Sequence, residues 1–313
     1  MAVFCVWNKC NNRCVMCSNP LDFQMENPYN GYSLKQLKER IGSVDVFDKK
    51  GNLIDDKVCL TGGEPTIHPD FLKIVSFVRK KFSRSTIEID SNGRRFFYPS
   101  FIKKLLSFKN INLCISLHGF DAKTHDAVTR TPESFNQTIK GLENIFKYKK
   151  LGLNNIELRI IITKITCKYV EKILKLIKDR FPEVDRVVIV FMEMEGQAGD
   201  NFKIVGLTHT AFSKYIPRIA KWIPEFKDLR FYHFPLCTID YSLWPYVWRT
   251  LPESEVTFLP SCNKCPYKKY CLGIHKHYLK EVGGGEFKPI NTKKIIIEEG
   301  NSFHHPIIKV YKK

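Results

Sequence analysis

Three cysteines crowd into eight residues near the start of the chain, Cys10-Asn11-Asn12-Arg13-Cys14-Val15-Met16-Cys17, a C-x3-C-x2-C spacing. If the chain loops around them, their thiolates converge on one metal centre. Thiolates are soft ligands that suit zinc or an iron–sulfur cluster. A structural zinc normally closes its shell with four ligands. Here the next cysteine is Cys59, and no histidine lies nearby. Three ligands on a four-iron cluster leave one iron open, and an open coordination position is what reactivity requires.

A second group lies late in the sequence. Cys262, Cys265 and Cys271 are spaced C-x2-C-x5-C, and Cys237 stands 25 residues before Cys262. Four thiolates from one region can close a tetrahedral zinc site or hold a [4Fe–4S] cluster. C-x2-C pairs are common around zinc, so the spacing taken alone leans that way. His275 and His277 read as neighbours of this group. Cys5, Cys59, Cys114 and Cys167 read as small core residues, and His304-His305 is assigned no chemistry.

Between the two groups lie polar motifs that could meet a ligand. Gly62-Gly63-Glu64-Pro65 offers glycines that let backbone approach a ligand closely. Ser91-Asn92-Gly93 and Ser116-Leu117-His118-Gly119 are polar turns. In Thr124-His125-Asp126-Ala127-Val128-Thr129-Arg130, Arg130 offers a planar donor fork suited to a carboxylate, though a capping or surface role reads equally well. Arg159, Glu193 and Glu195 could touch a substrate, or simply form a solvated rim.

Strands and helices alternate so as to carry these motifs. Val3–Trp7, Lys57–Thr61, Thr86–Asp90, Asn112–Leu117, Ile156–Thr163 and Arg186–Met192 read as strands. Ser33–Ile41, with Ser33 as N-cap, Asp70–Phe82, Ser100–Phe108, Ser134–Lys149 and Tyr169–Phe181 read as helices. Six βα repeats predict an α/β fold, a parallel sheet curled by right-handed crossovers into a partial (β/α)6 TIM-like barrel. Active sites in such folds lie at the C-terminal strand ends, and each motif sits at one. After about Gly196 periodicity fades and Pro and aromatic residues rise. The expected division is a core domain over 1–204 and a small loop-rich, cysteine-ligated domain over 205–313.

The cysteine triplet after a first strand, followed one βα unit later by Gly62-Gly63-Glu64-Pro65, resembles the signature of the radical S-adenosylmethionine (SAM) superfamily. The resemblance implies that Cys10, Cys14 and Cys17 hold a [4Fe–4S] cluster whose open iron chelates the amino and carboxylate groups of SAM. Reductive cleavage would give a 5′-deoxyadenosyl radical that abstracts a substrate hydrogen. It further implies cofactor contacts for Gly62, Gly63, Glu64 and Pro65 near the SAM amino group. Ser91 and Asn92 would lie near its ribose and carboxylate, Ser116 beside it, and Arg130 on its carboxylate. His118 departs from the aspartate of the similar "S-I/L-D-G" segment, and its role stays open. The run Pro260–Gly273 resembles the SPASM/twitch extension. That implies one auxiliary [4Fe–4S] cluster on Cys237, Cys262, Cys265 and Cys271, with zinc as the alternative.

Bulk properties fit such an enzyme. Eleven cysteines, an odd number, in 313 residues without an export signal favour metal binding over disulfides. The N-terminus lacks the basic front and cleavage site of a signal peptide, and no apolar run spans a membrane. A cytoplasmic enzyme is expected, its barrel opening at residue 3 without a preceding recognition domain. Fifty Lys and Arg against 32 Asp and Glu give a net charge of +18. The lysines are scattered, which favours solvated faces over a nucleic-acid stripe. The leading expectation is modification of a peptide or protein side chain, with ferredoxin or flavodoxin as electron donor. Rival expectations are a radical SAM enzyme acting on RNA or a small metabolite, and a zinc-stabilised binding module without catalysis.

Overall fold

The computed structural model describes residues 1–27, 30–292 and 294–312. Strands β1 (Ala2–Trp7), β2 (Lys57–Gly62), β3 (Thr86–Ser91), β4 (Ile111–Ser116), β5 (Leu153–Ile162), β6 (Arg186–Phe191), β7 (Leu229–Tyr232) and β8 (Val247–Trp248) form one sheet in sequence order. The pairs from β1 to β5 and from β6 to β8 run parallel. The order is linear, so the sheet is an open barrel rather than a closed one.

All six strands read from the sequence are present, and β7 and β8 extend the sheet beyond them. Each is too short for a hydrophobic period to register. β7 has four residues and β8 two, both inside the Pro- and aromatic-rich stretch. Two small antiparallel pairs complete the strands: β9 (Val256–Thr257) with β10 (Ile274–His275), and β11 (Ile295–Glu299) with β12 (Ile307–Lys312).

Helices α1 (Leu21–Met25), α2 (Leu34–Gly42), α3 (Phe71–Lys81), α4 (Pro99–Leu106), α5 (Ala122–Thr129), α6 (Ser134–Tyr148) and α7 (Val170–Arg180) alternate with the first six strands. Ser33 caps α2 through a reciprocal box with Gln36, as a Ser-x-x-Gln start predicts. α5 was not evident as a helix in the sequence, because its eight residues include five Thr, His, Asp or Lys side chains.

Two compact units divide the chain. One comprises Met1–Cys14, Asn19–Arg159 and Leu176–Asp185. The other comprises Val15–Ser18, Ile160–Lys175 and Arg186–Lys313. In the first, period-2 alternation sorts the sheet into two faces. Val58, Leu60, Ile87, Ile89, Leu113 and Ile115 are fully buried on one face. Each contributes roughly 1.5–3 kcal/mol of burial. The alternate positions Cys59, Glu88, Asp90, Cys114, Glu157 and Arg159 share the other, and that face is the one with chemistry. No helix among the described residues is long and apolar enough to cross a membrane.

Candidate active site

The loop carrying Cys10 is held by the ends of β2 and β3. Gly63 N donates to the Trp7 carbonyl at 2.7 Å, and Glu64 N to the Lys9 carbonyl at 2.8 Å. This approach is too close for side chains. A Cβ on Gly62 would sit 2.1 Å from the Trp7 oxygen, and one on Gly63 2.5 Å from the Lys9 oxygen. Gly62 also has φ +142°, a conformation L side chains rarely adopt. The glycines therefore let the β2 turn lie against the entry to the cysteine loop.

Glu64 turns inward rather than out. Only 1% exposed, its Oε1 accepts from Thr66 N at 3.1 Å and Ser91 Oγ at 2.9 Å, and its Oε2 from Asn92 N at 2.7 Å. Burial raises its carboxyl pKa, and these donors oppose the rise. Glu64 thus fastens the Ser91-Asn92 turn to the Gly62–Pro65 turn. Pro65 is buried at the start of the short turn Pro65–Ile67, which Glu64 caps.

Asn92 completes the link. Its Nδ2 donates to Asn11 Oδ1 at 2.7 Å and lies 3.9 Å from Cys10 Sγ, which also accepts from Asn12 N at 3.3 Å. Arg94 donates to the Asn11 carbonyl, to Asn12 Oδ1 at 2.7 Å and to Gln137 Oε1 at 2.8 Å. Arg13 N donates to the Thr129 carbonyl at 2.9 Å, at the end of α5. Cys10, Asn11, Arg13, Arg130, Thr131 and Pro132 line an open cavity of about 330 Å3. The structure thus joins Arg130, a left-handed C-cap with φ 49°, to Cys10. It adds Arg13 and Arg94, which sequence reasoning missed. Arg13 was visible inside the cysteine motif itself, and Arg94 directly after Ser91-Asn92-Gly93.

The His125-Asp126…Ser134-Phe135 motif is structural in this chain. Asp126 Oδ1 accepts from Ser134 Oγ at 2.7 Å and Phe135 N at 2.8 Å, so it fastens the start of α6. His125 Nδ1 accepts from His118 N at 3.2 Å. The His118 and His125 rings stack 5.9 Å apart. Burial pushes their pKa values down to about 3 and about 4. Both imidazoles are therefore neutral at pH 7.

Ser116, half-buried at the end of β4, pairs in register with Arg159 on β5. Arg159 is the hub of the inner face. Its guanidinium bonds Glu157 Oε1 at 2.5 Å and Asp90 Oδ1 at 3.0 Å, with Glu88 Oε1 at 3.9 Å. Cys59 Sγ lies 3.8 Å from Asp90 Oδ2. Three carboxylates face one guanidinium, so this face is net negative. Burial, then Asp90, raises the Glu88 pKa. Cys59, Cys114 and Cys167 are buried as expected, whereas Cys5 is only half-buried, its Sγ 3.9 Å from the Tyr32 hydroxyl.

In the second unit, the segment carrying Cys17 is fastened by backbone. Ala198 N donates to the Cys17 carbonyl at 3.1 Å, and Asn201 Nδ2 to the Val15 carbonyl at 3.2 Å. Further along, Cys237, Cys262, Cys265 and Cys271 all line one apolar cavity of about 30 Å3, walled by Phe258, Tyr267 and Phe287 among others. Leu236 N and Gly273 N point at Cys271 Sγ at 3.4 and 3.5 Å. Burial, then the adjacent Cys271 and Cys262 thiols, pushes Cys237 up to about 12. Cys237 and Cys271, which burial pushes up, resist ionising without a cation beside them. A metal centre there reverses the effect.

A profile of the Radical SAM superfamily matches residues 4–177. The GTP 3′,8-cyclase of Pasteurella multocida (strain Pm70) is 32% identical over 152 residues, 48% of this chain and 42% of that protein. That of Haemophilus influenzae (strain PittEE) is 27% identical over 177 residues, 56% of this chain and 49% of that protein. The chain thus spans less than half the length of these curated relatives. Among solved structures, Streptococcus suis SuiB bound to S-adenosylmethionine superposes with TM-score 0.54 at 16% identity, over 74% of this chain and 49% of that one. The anSMEcpe structure with bound AdoMet and Cp18Cys peptide gives TM-score 0.53 at 16% identity, over 73% and 62%. These likenesses establish a shared fold.

Proposed function

The chain belongs to the Radical SAM superfamily, and we propose that it abstracts a hydrogen atom from a peptide or protein side chain, over a SAM-binding core at 1–204 and an auxiliary-cluster domain at 205–313. When bound to Cys10, Cys14 and Cys17, the [4Fe–4S] cluster supplies the electron that cleaves SAM to the 5′-deoxyadenosyl radical. The donor set fits that group, since three thiolates leave a coordination position open and N–H donors aim at Cys10 Sγ. Gly62, Gly63, Glu64 and Pro65 shape the backbone turn that meets SAM. In this reading Glu64 acts by fixing Ser91 and Asn92 rather than by touching the cofactor. Arg130 and Arg13 hold the SAM carboxylate, and Ser116 lies at the inner-face end of β4.

Cys237, Cys262, Cys265 and Cys271 hold an auxiliary [4Fe–4S] cluster in this proposal. The C-x2-C-x5-C spacing after Cys237 and the shared apolar lining support this assignment, with zinc as the alternative. With four thiolates the cluster has no open iron, which suits electron transfer. Ferredoxin or flavodoxin is the proposed low-potential donor.

The observation that carries the substrate reading is the charge of the inner face: Glu88, Asp90 and Glu157 against Arg159. Such a face repels a polyphosphate and accepts a neutral or cationic side chain. A second reading, a nucleotide or other small metabolite, is favoured by the sequence similarity to the GTP 3′,8-cyclases. Anaerobic reconstitution decides between these readings. The wild type is expected to carry about eight irons and the Cys10/Cys14/Cys17→Ala variant about four. Dithionite-driven 5′-deoxyadenosine formation should disappear in the variant. A wild type that forms no 5′-deoxyadenosine sinks the whole reading. Conversion of added GTP to a cyclised product would replace the peptide substrate with the nucleotide.

A further inference from the structure

The second unit holds a group of imidazoles and carboxylates that neither thiolate site uses. Glu193 and Glu195 follow β6. His275 ends β10, and His277 lies in the first turn of the helix Lys276–Glu281. His277 Nδ1 is 3.1 Å from Glu195 Oε2. One ligand atom each of Glu195, His275 and His277 lies within 4.8 Å of the others. The two histidine rings are 5.3 Å apart.

His275 supplies an independent clue. Both its ring nitrogens are buried, and neither has a hydrogen-bond partner. An imidazole carries a donor and an acceptor, and leaving both unpaired away from water is costly. An electron-pair acceptor can take the free lone pair of such a ring, and histidine is the commonest metal ligand. The carboxylates point the same way. Glu193 and Glu255 bring further carboxylate charge to the group around Glu195. A divalent cation neutralises that carboxylate charge and takes the lone pair of one His275 ring nitrogen.

We infer that Glu195, His275 and His277 form a mononuclear site for a divalent first-row transition metal ion, of which Zn2+ is the representative. Two imidazoles and a carboxylate are borderline donors suited to such ions. The 3.1 Å separation of His277 and Glu195 is the edge expected between ligands about 2.0–2.1 Å from a common metal. His275 offers a ring nitrogen within 4.8 Å of both other ligand atoms. Three protein ligands leave positions open for water or a substrate oxygen. Ala198 N donates to both the Glu195 carbonyl and the Cys17 carbonyl, each at 3.1 Å. The proposed ligand is therefore one peptide N–H away from the segment that carries Cys17. The superficially similar group Cys59, Glu88 and Asp90 is excluded, because the Arg159 guanidinium already bonds Asp90 and faces Glu88.

The test uses the full chain, reconstituted anaerobically with iron and sulfide so that the thiolates are filled, then dialysed against zinc chloride. Metal analysis should find about one zinc per chain. Zinc-edge X-ray absorption should show nitrogen and oxygen neighbours at about 2.0–2.1 Å. The His275→Gln/His277→Gln variant should lose that zinc at unchanged iron and sulfide content, and Glu195→Gln should weaken it at least tenfold. A sulfur shell at about 2.3 Å, zinc retained by the double variant, or no zinc on the wild type overturns the site. If the double variant also loses iron, the wild-type absorption spectrum decides alone. The inference stands apart from the SAM chemistry: absent 5′-deoxyadenosine with zinc bound at nitrogen and oxygen defeats that reading and leaves this one intact.

Discussion

Cys10 looks onto an open cavity of about 330 Å3 that it shares with Arg13 and Arg130. The four thiols between Cys237 and Cys271 share about 30 Å3, walled by aromatic rings. The first environment is polar and braced by neighbouring turns, through Asn92, Arg94 and the backbone of Gly63 and Glu64. The second is apolar and braced mainly by its own short loops, with backbone N–H groups aimed at Cys271. In the proposed assignment the contrast follows from ligand count. Three thiolates need a polar partner to complete the shell, so the surroundings must admit and orient one. Four complete the shell by themselves, and the surroundings need only exclude water.

Removing ligands from the enclosed site gives the sharpest test of this contrast. Cys262→Ala/Cys265→Ala should lower iron from about eight to about four per chain, while 5′-deoxyadenosine formation persists. If cleavage also stops, the two sites are not functionally separable. An intermediate effect is expected at the brace of the open site. Glu64→Ala strands the Thr66, Ser91 and Asn92 donors in the interior, at about 2–4 kcal/mol. Thermal unfolding would register that loss, and SAM binding should weaken with it. If Glu64→Ala weakens SAM binding without lowering stability, Glu64 touches the cofactor directly.

Acidification is expected to treat the two regions alike. His118 and His125 in the first unit, and His209 in the second, have pKa values pushed by burial to about 3, about 4 and about 3. The unfolded chain takes up these protons near pH 6.5, whereas the folded chain holds the rings neutral. Stability is therefore full above about pH 6.5 and falls toward about pH 4. Each ring removes roughly 1.4 kcal/mol per pH unit in that window. Denaturant midpoints at pH 7, 6 and 5 would show the slope, and a flat profile would mean that these rings are protonated in the folded state.

Much of the architecture was legible because its signals are local. Six strands carry runs such as Ile111–Ser116, and the cysteine motifs are short and contiguous. β7 and β8 were not legible, because four- and two-residue strands owe their pairing to neighbours rather than to a period of their own. The inward turn of Glu64 was equally hidden. Spacing places a glutamate after two glycines, but only the packing of Ser91 and Asn92 against it shows which way the carboxylate points. Arg94 owes its importance to Asn11 and Asn12, more than eighty residues earlier in the chain. Separations of that length leave no periodic trace.

The brace on Cys10 also has a schedule. Asn92 lies 82 residues beyond the cysteine whose loop it holds. At ribosomal speeds of about 5–20 residues per second, roughly 4–16 s separate the synthesis of the two. During that interval the thiols of a nascent chain have emerged, but the turns that shape their loop have not been made. Cluster delivery before β3 is complete would meet an unshaped peptide. The order of events favours an insertion step after translation, and a cell that delays it exposes three bare thiols to oxidation.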